Sequence, residues 1–410
     1  HRGRRSMTQD PPLPRATRLQ SIDIVRGLVM VLMCLDHVRD FYGDLNNTPE
    51  FLATTNPGLF ATRWVTHFCA PAFVFLAGVS AYLAGARRTH AERTRFLVSR
   101  GLWLILLELT LVNFGWVLMA PLRVMIFQVI WVIGASFLAL AALAYLPRPA
   151  HLVLGIACVA GQHALSLDAF TGSSSWPALF YGGVEFFQMQ GPYAAASTVV
   201  INYSLLPWLG VMLLGYGLAP VFQREAAARR RTLLTLGIAG ILLFVVVRAC
   251  SGFGNIAEWS YATHAQTLGE AGRNSWWWHV IAFLNPSKYP PSLAFVLMTL
   301  GPTCLLLAWF DREPGFLGRR LLTFGSVPLL FYVAHLFVAH LGAGLLLRLE
   351  QGTWTFPLRA AFQGAYTEDM VHSLATVYLA WFACLAVLYP VCVVFGKWKR
   401  AGTSWVWSYL

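Results

Sequence analysis

Charge is what this sequence has little of. Only 12% of its 410 residues are Asp, Glu, Lys or Arg, against about 25% in a soluble globular chain. Hydrophobic residues make up 57% and the mean hydropathy is +0.58, which excludes a soluble domain and implies a membrane protein. CxxC pairs are absent, and the seven cysteines (34, 69, 158, 250, 304, 384, 392) all fall in or beside apolar runs. An odd count without paired spacing indicates neither a disulfide framework nor a zinc site. There is no GxSxG, Walker loop, HExxH or pair of glycosidase carboxylates. A GxGxxA match at Gly252, Gly254 and Ala257 lacks the preceding strand that a dinucleotide fingerprint requires. No internal repeat is visible, which argues against an inverted-repeat transporter. The leading HRGRRS reads as an expression scar, and the first apolar run is too long and too charged for a secretory leader.

What is present begins with arginine. The net charge of +12 raises the question of nucleic acid, but its distribution answers in favour of topology. A span needs about 20 apolar residues, and ten stretches qualify: 20–43, 60–86, 95–119, 123–146, 149–167, 198–222, 232–251, 291–310, 321–348 and 371–396. With the N-terminus in the cytoplasm, the cytoplasmic loops are RRTHAERTR (87–95), the turn with Arg148, QREAAARRR (223–231), DREPGFLGRR (311–320) and the tail KWKR (397–400). Of the two long opposite loops, 168–197 has no Lys or Arg, and 252–290 has only Arg273 and Lys288. The expectation is an all-α polytopic membrane bundle of about ten helices with both termini cytoplasmic. Its parts would be a scar and short tail (1–17), one transmembrane domain (18–400) and a C-terminal tail (401–410). The lipid bilayer is then a partner and nucleic acid is not.

Against that background the stretch RGLVMVLMCLDHVRD, residues 26–40, is anomalous, because a charged side chain at bilayer depth costs several kcal/mol on most scales. Arg26 and His37 are eleven residues apart, which returns a helix to nearly the same face about 16 Å further on. One stripe therefore joins a phosphate-type cation near the cytoplasmic end to a titratable base near the other. Snorkelling of Arg26 and a helix-to-helix hydrogen bond from His37 are the plain alternative. Asp36 and His37 point about 100° apart and cannot pair on a regular helix. Asp40, three residues beyond His37, can reach its ring and fix its tautomer, whereas Asp36 is better placed for Arg39 or another helix. His67, opening the second span from the outer side, should lie at a depth like that of His37. Glu108, with Asn113 beyond it, is expected to face Arg26, Arg123 or a water-filled cavity. His335 lies mid-span and could face the same cavity or hold helices together; with His340 it does not make a metal pair of the i,i+4 kind. The run Trp276–Trp277–Trp278 reads either as an interfacial belt or as a stacking wall for a sugar.

At these residues the sequence resembles the catalytic domain of the heparan-alpha-glucosaminide N-acetyltransferase-like membrane proteins. IDIVRGLVMVLMCLDHVRDFY, HFCAPAFVFLAGVSAYL, FLNPSKYPPSLAFVLMTLGP and FGSVPLLFYVAHLFVAH carry the resemblance in that order, and bacterial members have similar strings. The resemblance implies a transmembrane acetyltransferase of a bacterial inner membrane, with cytoplasmic acetyl-CoA as donor and no metal. The acceptor would be a saccharide or glycolipid on the far side. Arg26, with Arg87, Arg88 or Arg100, would hold CoA phosphates. His37 would deprotonate the acceptor or carry the acetyl group, and His67 stays its rival. Glu108, Lys288, Trp278 and His335 are the candidate substrate contacts. A transporter or flippase for a glycan or lipid precursor is the competing reading, a non-catalytic scaffold a third, and a homodimer is left open.

Overall fold

Long apolar runs without internal breakers become helices, and short capping signals set where several of them start. The computed structural model describes residues 19–86, 88–120, 123–164, 177–182, 184–191, 194–255 and 276–402. The chain opens with α1 (Gln20–Tyr42), followed by α2 (Pro57–Thr66) and α3 (Cys69–Gly85). The side chain of Asn56 accepts from the Leu59 amide to start α2. Next comes α4 (His90–Leu107), begun by a capping box in which Thr89 and Glu92 satisfy each other's amides. A π-helical turn at Glu108–Val112 joins α4 to α5 (Asn113–Val117). The later elements are α6 (Val129–Leu143), α7 (Arg148–Ala160), α8 (Pro177–Phe180), α9 (Leu205–Leu218) and α10 (Ala226–Ala249). They are followed by α11 (Trp276–Phe283), α12 (Leu293–Trp309), α13 (Phe316–Gly325), α14 (Pro328–Gln351), α15 (Pro357–Phe362) and α16 (Leu374–Ala401).

Six helical stretches among the described residues are long and apolar enough to cross a membrane: Pro57–Gly85, His90–Val117, Leu205–Gln223, Ala226–Ala249, Pro328–Gln351 and Leu374–Ala401. Helices α6, α7 and α12 are apolar but shorter. Helix α1 is long enough, and its charges set it apart from the six.

Two of the ten expected spans are corrected at their starts. Residues 124–127 and 198–201 are strand, not helix. Strand β1 (Val124–Phe127) runs parallel to β3 (Ala194–Ile201), with Val124 opposite Thr198, and β2 (Glu185–Gly191) pairs antiparallel on the other side of β3. Short β-branched and aromatic runs such as VMIF and STVVI favour extended backbone once a partner is present, and apolar content alone does not separate them from a helix start. Asn113 pins this sheet to the helices. Its side chain accepts from the Ile126 amide at 2.6 Å and donates to the Ile126 carbonyl at 3.1 Å, completing a ladder position from the side.

Helix α1 runs through the centre of the bundle, touching α2, α3, α12, α13, α14, α15 and α16. Glycine sets its closest approach. A Cβ on Gly325 would lie 1.8 Å from the Asp23 carbonyl oxygen, and one on Gly27 would lie 2.0 Å from that of Leu321. Only hydrogen fits at either position, so α1 and α13 cross backbone to backbone. The next helix, α14, then packs against the half of α1 that carries His37.

Candidate functional site

Two cavities, one reached by Arg26 of α1 and the other by Arg39 and Asp40, flank a histidine pair in the last third of that helix. The first, about 300 Å³, is lined by Arg26, Arg100 and Lys399 at its polar side and by Phe73, Phe96, Leu104, Phe137 and Tyr332 among others. Arg26 is held in its wall by Asp23 and Ser80, each at 2.8 Å. Arg88 stands just outside, donating to the Ala84 carbonyl with its guanidinium 4.4 Å from the Phe96 ring centre; Ala84 and Phe96 both line the cavity. Arg87 lies outside the described residues. The second cavity, about 490 Å³, is lined by Arg39, Asp40, Glu50, Arg63 and Arg248 together with the segment from Asn285 to Tyr289, which includes Lys288.

Between them, His37 of α1 meets His335 of α14. Nδ1 of His37 lies 2.6 Å from Nε2 of His335, and both residues are buried. The neighbouring groups leave one neutral arrangement of protons. Nδ1 of His335 lies 3.0 Å from the Phe331 carbonyl, which can only accept, so that nitrogen carries the hydrogen. Its Nε2 is then a lone pair, and His37 donates to it through Nδ1. This leaves Nε2 of His37 with the free lone pair. The rings of Trp116 and Tyr332 flank His37 at 4.7 and 6.4 Å between centres, and Tyr332 is also in the wall of the first cavity.

Asp40 does not orient His37. It accepts from Arg39 at 2.7 Å, and the orienting contact comes from His335. Asp36 is the hub of a buried ion network on the side of the second cavity. It accepts from Arg63 at 2.6 and 2.7 Å, from Thr66 at 2.9 Å and from Arg39 at 3.1 Å. Arg63 also donates to Glu50 at 2.5 Å. Burial pushes the Glu50 carboxyl up, but Arg63, with His67 and Arg39 behind it, outweighs that and holds it down to about 2. Lys288 is 7% exposed and faces this cavity, and no carboxylate among the described residues lies within 4.0 Å of it. Arg248 braces the opposite wall by donating to the carbonyls of Ala282, Phe283 and Asn285 at the end of α11. Asn285 in turn donates to the Glu50 carbonyl at 2.8 Å.

His67 is buried 4.0 Å from Glu50, beside the Phe295 ring, and neither of its ring nitrogens has a hydrogen-bond partner among the described residues. Glu108 faces neither Arg26 nor Arg123. It starts the π turn and accepts from the Trp131 amide at 3.0 Å, tying α4 to α6. Trp278 packs against the small cluster of Leu52, Phe60, Ile281 and Ala282, outside the walls of both cavities. Trp276 and Trp277 are exposed and stack on each other at 3.9 Å. His340 contacts the Gly115 carbonyl at 3.0 Å and leans on Phe41. Among the described residues no group of three His, Cys, Asp or Glu side chains is placed to hold a metal ion.

Several contributors are not singled out by the sequence, Glu50 and Arg248 among them. Arg63 had a signal, since it precedes His67 by four residues and so shares its helix face. Tyr332 and Lys399 had none beyond lying in an apolar span and a basic tail.

A central charged helix among apolar helices long enough to cross a membrane, with a buried histidine pair between two charged cavities, marks a membrane-embedded protein with a polar centre. The catalytic-domain family of heparan-alpha-glucosaminide N-acetyltransferase matches residues 18–250, more than half of the chain. The chain belongs to that family, and so to the acetyltransferases. No relative matches among curated proteins. His37, His67, Arg26 and Arg63 lie within the matched part, whereas Lys288, His335 and Lys399 lie beyond it.

Proposed function

We propose that this protein transfers an acetyl group from acetyl-CoA to an acceptor across the membrane, with Nε2 of His37 as the base. The observation that carries the reading is the His37–His335 pair standing between a basic cavity and a mixed-charge one. Arg26, Arg100 and Lys399 supply three cations for the phosphates of the donor. The apolar part of that cavity suits a pantetheine arm, and Arg26 and His37 are about 16 Å apart along α1. The acceptor, a saccharide or glycolipid hydroxyl or amine, would enter the cavity with Arg39, Asp40 and Lys288. Lys288 is the cation best placed to hydrogen-bond a polar group on it.

In the transfer His37 Nε2 takes the acceptor's proton as the acceptor oxygen or nitrogen attacks the thioester carbon. The C–S bond breaks, and the proton passes from His37 to the CoA thiolate. His335 acts through His37 as its positioning residue. Asp36 belongs to the ion network that fixes α2 against α1, and His67 sits behind that network as the rival base. The lysine and arginine distribution supports ten spans in one domain over 18–400 with both termini in the cytoplasm, and the family resemblance supports residence in a bacterial inner membrane.

Purified protein incubated with radiolabelled acetyl-CoA and cell-envelope glycans is expected to move label into the glycan fraction. His37→Ala should lower the rate by about 10²- to 10⁴-fold, the usual contribution of a general base. Transfer by His37→Ala at the wild-type rate, with His67→Ala inactive, would move the chemistry to His67.

A further inference from the structure

A second basic feature lies away from both cavities, on the outer flank of the bundle. Helices α10 and α12 pack side by side, and a groove of about 670 Å³ runs between the start of α10 and the end of α12. Arg230, Arg231 and Arg312 stand at one end of it; Leu234, Ile238 and Trp309 continue along it towards the middle of the bundle. All three arginines are exposed. So are the three apolar side chains, at 45%, 52% and 62%.

The local carboxylates do not neutralise this end. Asp311 is fully engaged by Arg229, in a two-point contact at 2.8 and 2.9 Å that locks α10 to the end of α12. Neither Glu225 nor Glu313 comes within 4.0 Å of the three guanidiniums, and no other carboxylate among the described residues does. The guanidinium of Arg312 lies 4.5 Å over the Trp309 ring, which fixes it at the mouth of the groove. Topology accounts for arginines at this end of the bundle. It does not account for an apolar trough leading away from them, with an interfacial tryptophan between the two.

We propose that this groove binds an anionic phospholipid, its phosphate on Arg230, Arg231 and Arg312 and an acyl chain along Leu234 and Ile238. Guanidinium groups match phosphate oxygens in a planar two-point geometry. A zwitterionic lipid presents its own cation to the same arginines and loses much of that attraction. Free phosphate makes the ionic contact and leaves the trough unfilled. The site is independent of acetyl transfer, so its test does not depend on the reading of the histidines.

The test uses the delipidated full chain in a neutral detergent, titrated with phosphatidylglycerol, phosphatidylcholine or inorganic phosphate and followed by native mass spectrometry and thermal unfolding. Phosphatidylglycerol is expected to bind at low stoichiometry and to raise Tm by several degrees; the other two should do neither. Replacing all three arginines (R230Q, R231Q, R312Q) should weaken phosphatidylglycerol at least about tenfold. A control lacking three exposed cations elsewhere (R95Q, R319Q, K397Q) should bind as the wild type does. The proposal is overturned if the arginine variant binds like the control. It is equally overturned if phosphatidylcholine or inorganic phosphate gives the same stabilisation. A photoreactive phosphatidylglycerol on the unmutated protein provides the second measurement, and labelling concentrated on helices other than α10 and α12 refutes the site.

Discussion

Replacing His335 by Phe removes the acceptor that orients His37 while keeping a ring in the same space against Phe331, whose ring centre is 5.5 Å away. In the resting state the lost contact is a hydrogen bond between neutral groups, with a net worth of about 0.5–1.5 kcal/mol. When His37 takes up the acceptor's proton, the Nδ1–H bond to His335 becomes charge-assisted and worth roughly twice as much. Only the difference, about 0.5–1.5 kcal/mol, lowers the barrier, which predicts a fall in kcat of about 2- to 13-fold. KM for acetyl-CoA should hardly change, because His335 lines neither cavity. The assay is the initial rate of label transfer from acetyl-CoA, run as a double-mutant cycle with His37→Ala. His335 acts through His37, so the double variant should be no slower than His37→Ala alone. A His335→Phe rate within twofold of wild type, or losses that multiply in the double variant, would refute the reasoning.

Three further predictions concern the architecture around the pair. Asp36→Asn removes one of the two carboxylates paired with the buried Arg63 and one of the two paired with Arg39, leaving Glu50 and Asp40; a cost of about 1–3 kcal/mol is expected, seen as a lower Tm. Gly325→Ala pushes a methyl into the Asp23 carbonyl, which is backbone and cannot yield, so a loss of about 1–3 kcal/mol is expected. Gly161→Ala, where a Cβ meets nothing within 4 Å, serves as the silent control in the same melts. Glu50 titrates at about 2 when folded, below its ordinary 4.5. Its contribution, at most about 3 kcal/mol, is therefore complete above pH 4.5 and disappears as the pH falls through about 2. Glu50→Gln should flatten the acid limb of the unfolding curve, measured by tryptophan fluorescence between those values.

How far the site was legible before the fold differs by residue. Arg26 and His37 share a stripe because they sit on one helix, and helical periodicity is a local property. The expected neighbours of Asp36 were of the right kind for the same reason, since Arg39 is three residues away. Asp40 shows the limit of that logic. Being within reach of His37 along the helix did not decide the pairing, because Arg39 offers it a full charge at 2.7 Å. Glu108 is expected from the sequence to seek a cation, whereas one of its oxygens accepts from the Trp131 backbone amide at the start of α6 and the other has no hydrogen-bond partner among the described residues. Its π turn left no mark in the apolar pattern. The two strand segments were absorbed into helices because an apolar β-branched run reads the same in either state until its partner is known.

Composition and local periodicity by themselves determined that this is a helical membrane protein. They also determined where most of its helices fall, and that α1 carries a cation and a base on one face. The matching family follows from the same strings. What only the tertiary structure decided is which side chains meet across helices. His335 reaches His37 over a separation of 298 residues, Arg63 closes on Asp36, and Lys399 joins Arg26 around one cavity. The physical reason is that a helix's register is written in its own residues. Its rotation and depth against a neighbour are set by packing, here by the glycine crossing of α1 and α13, and no single segment encodes that contact.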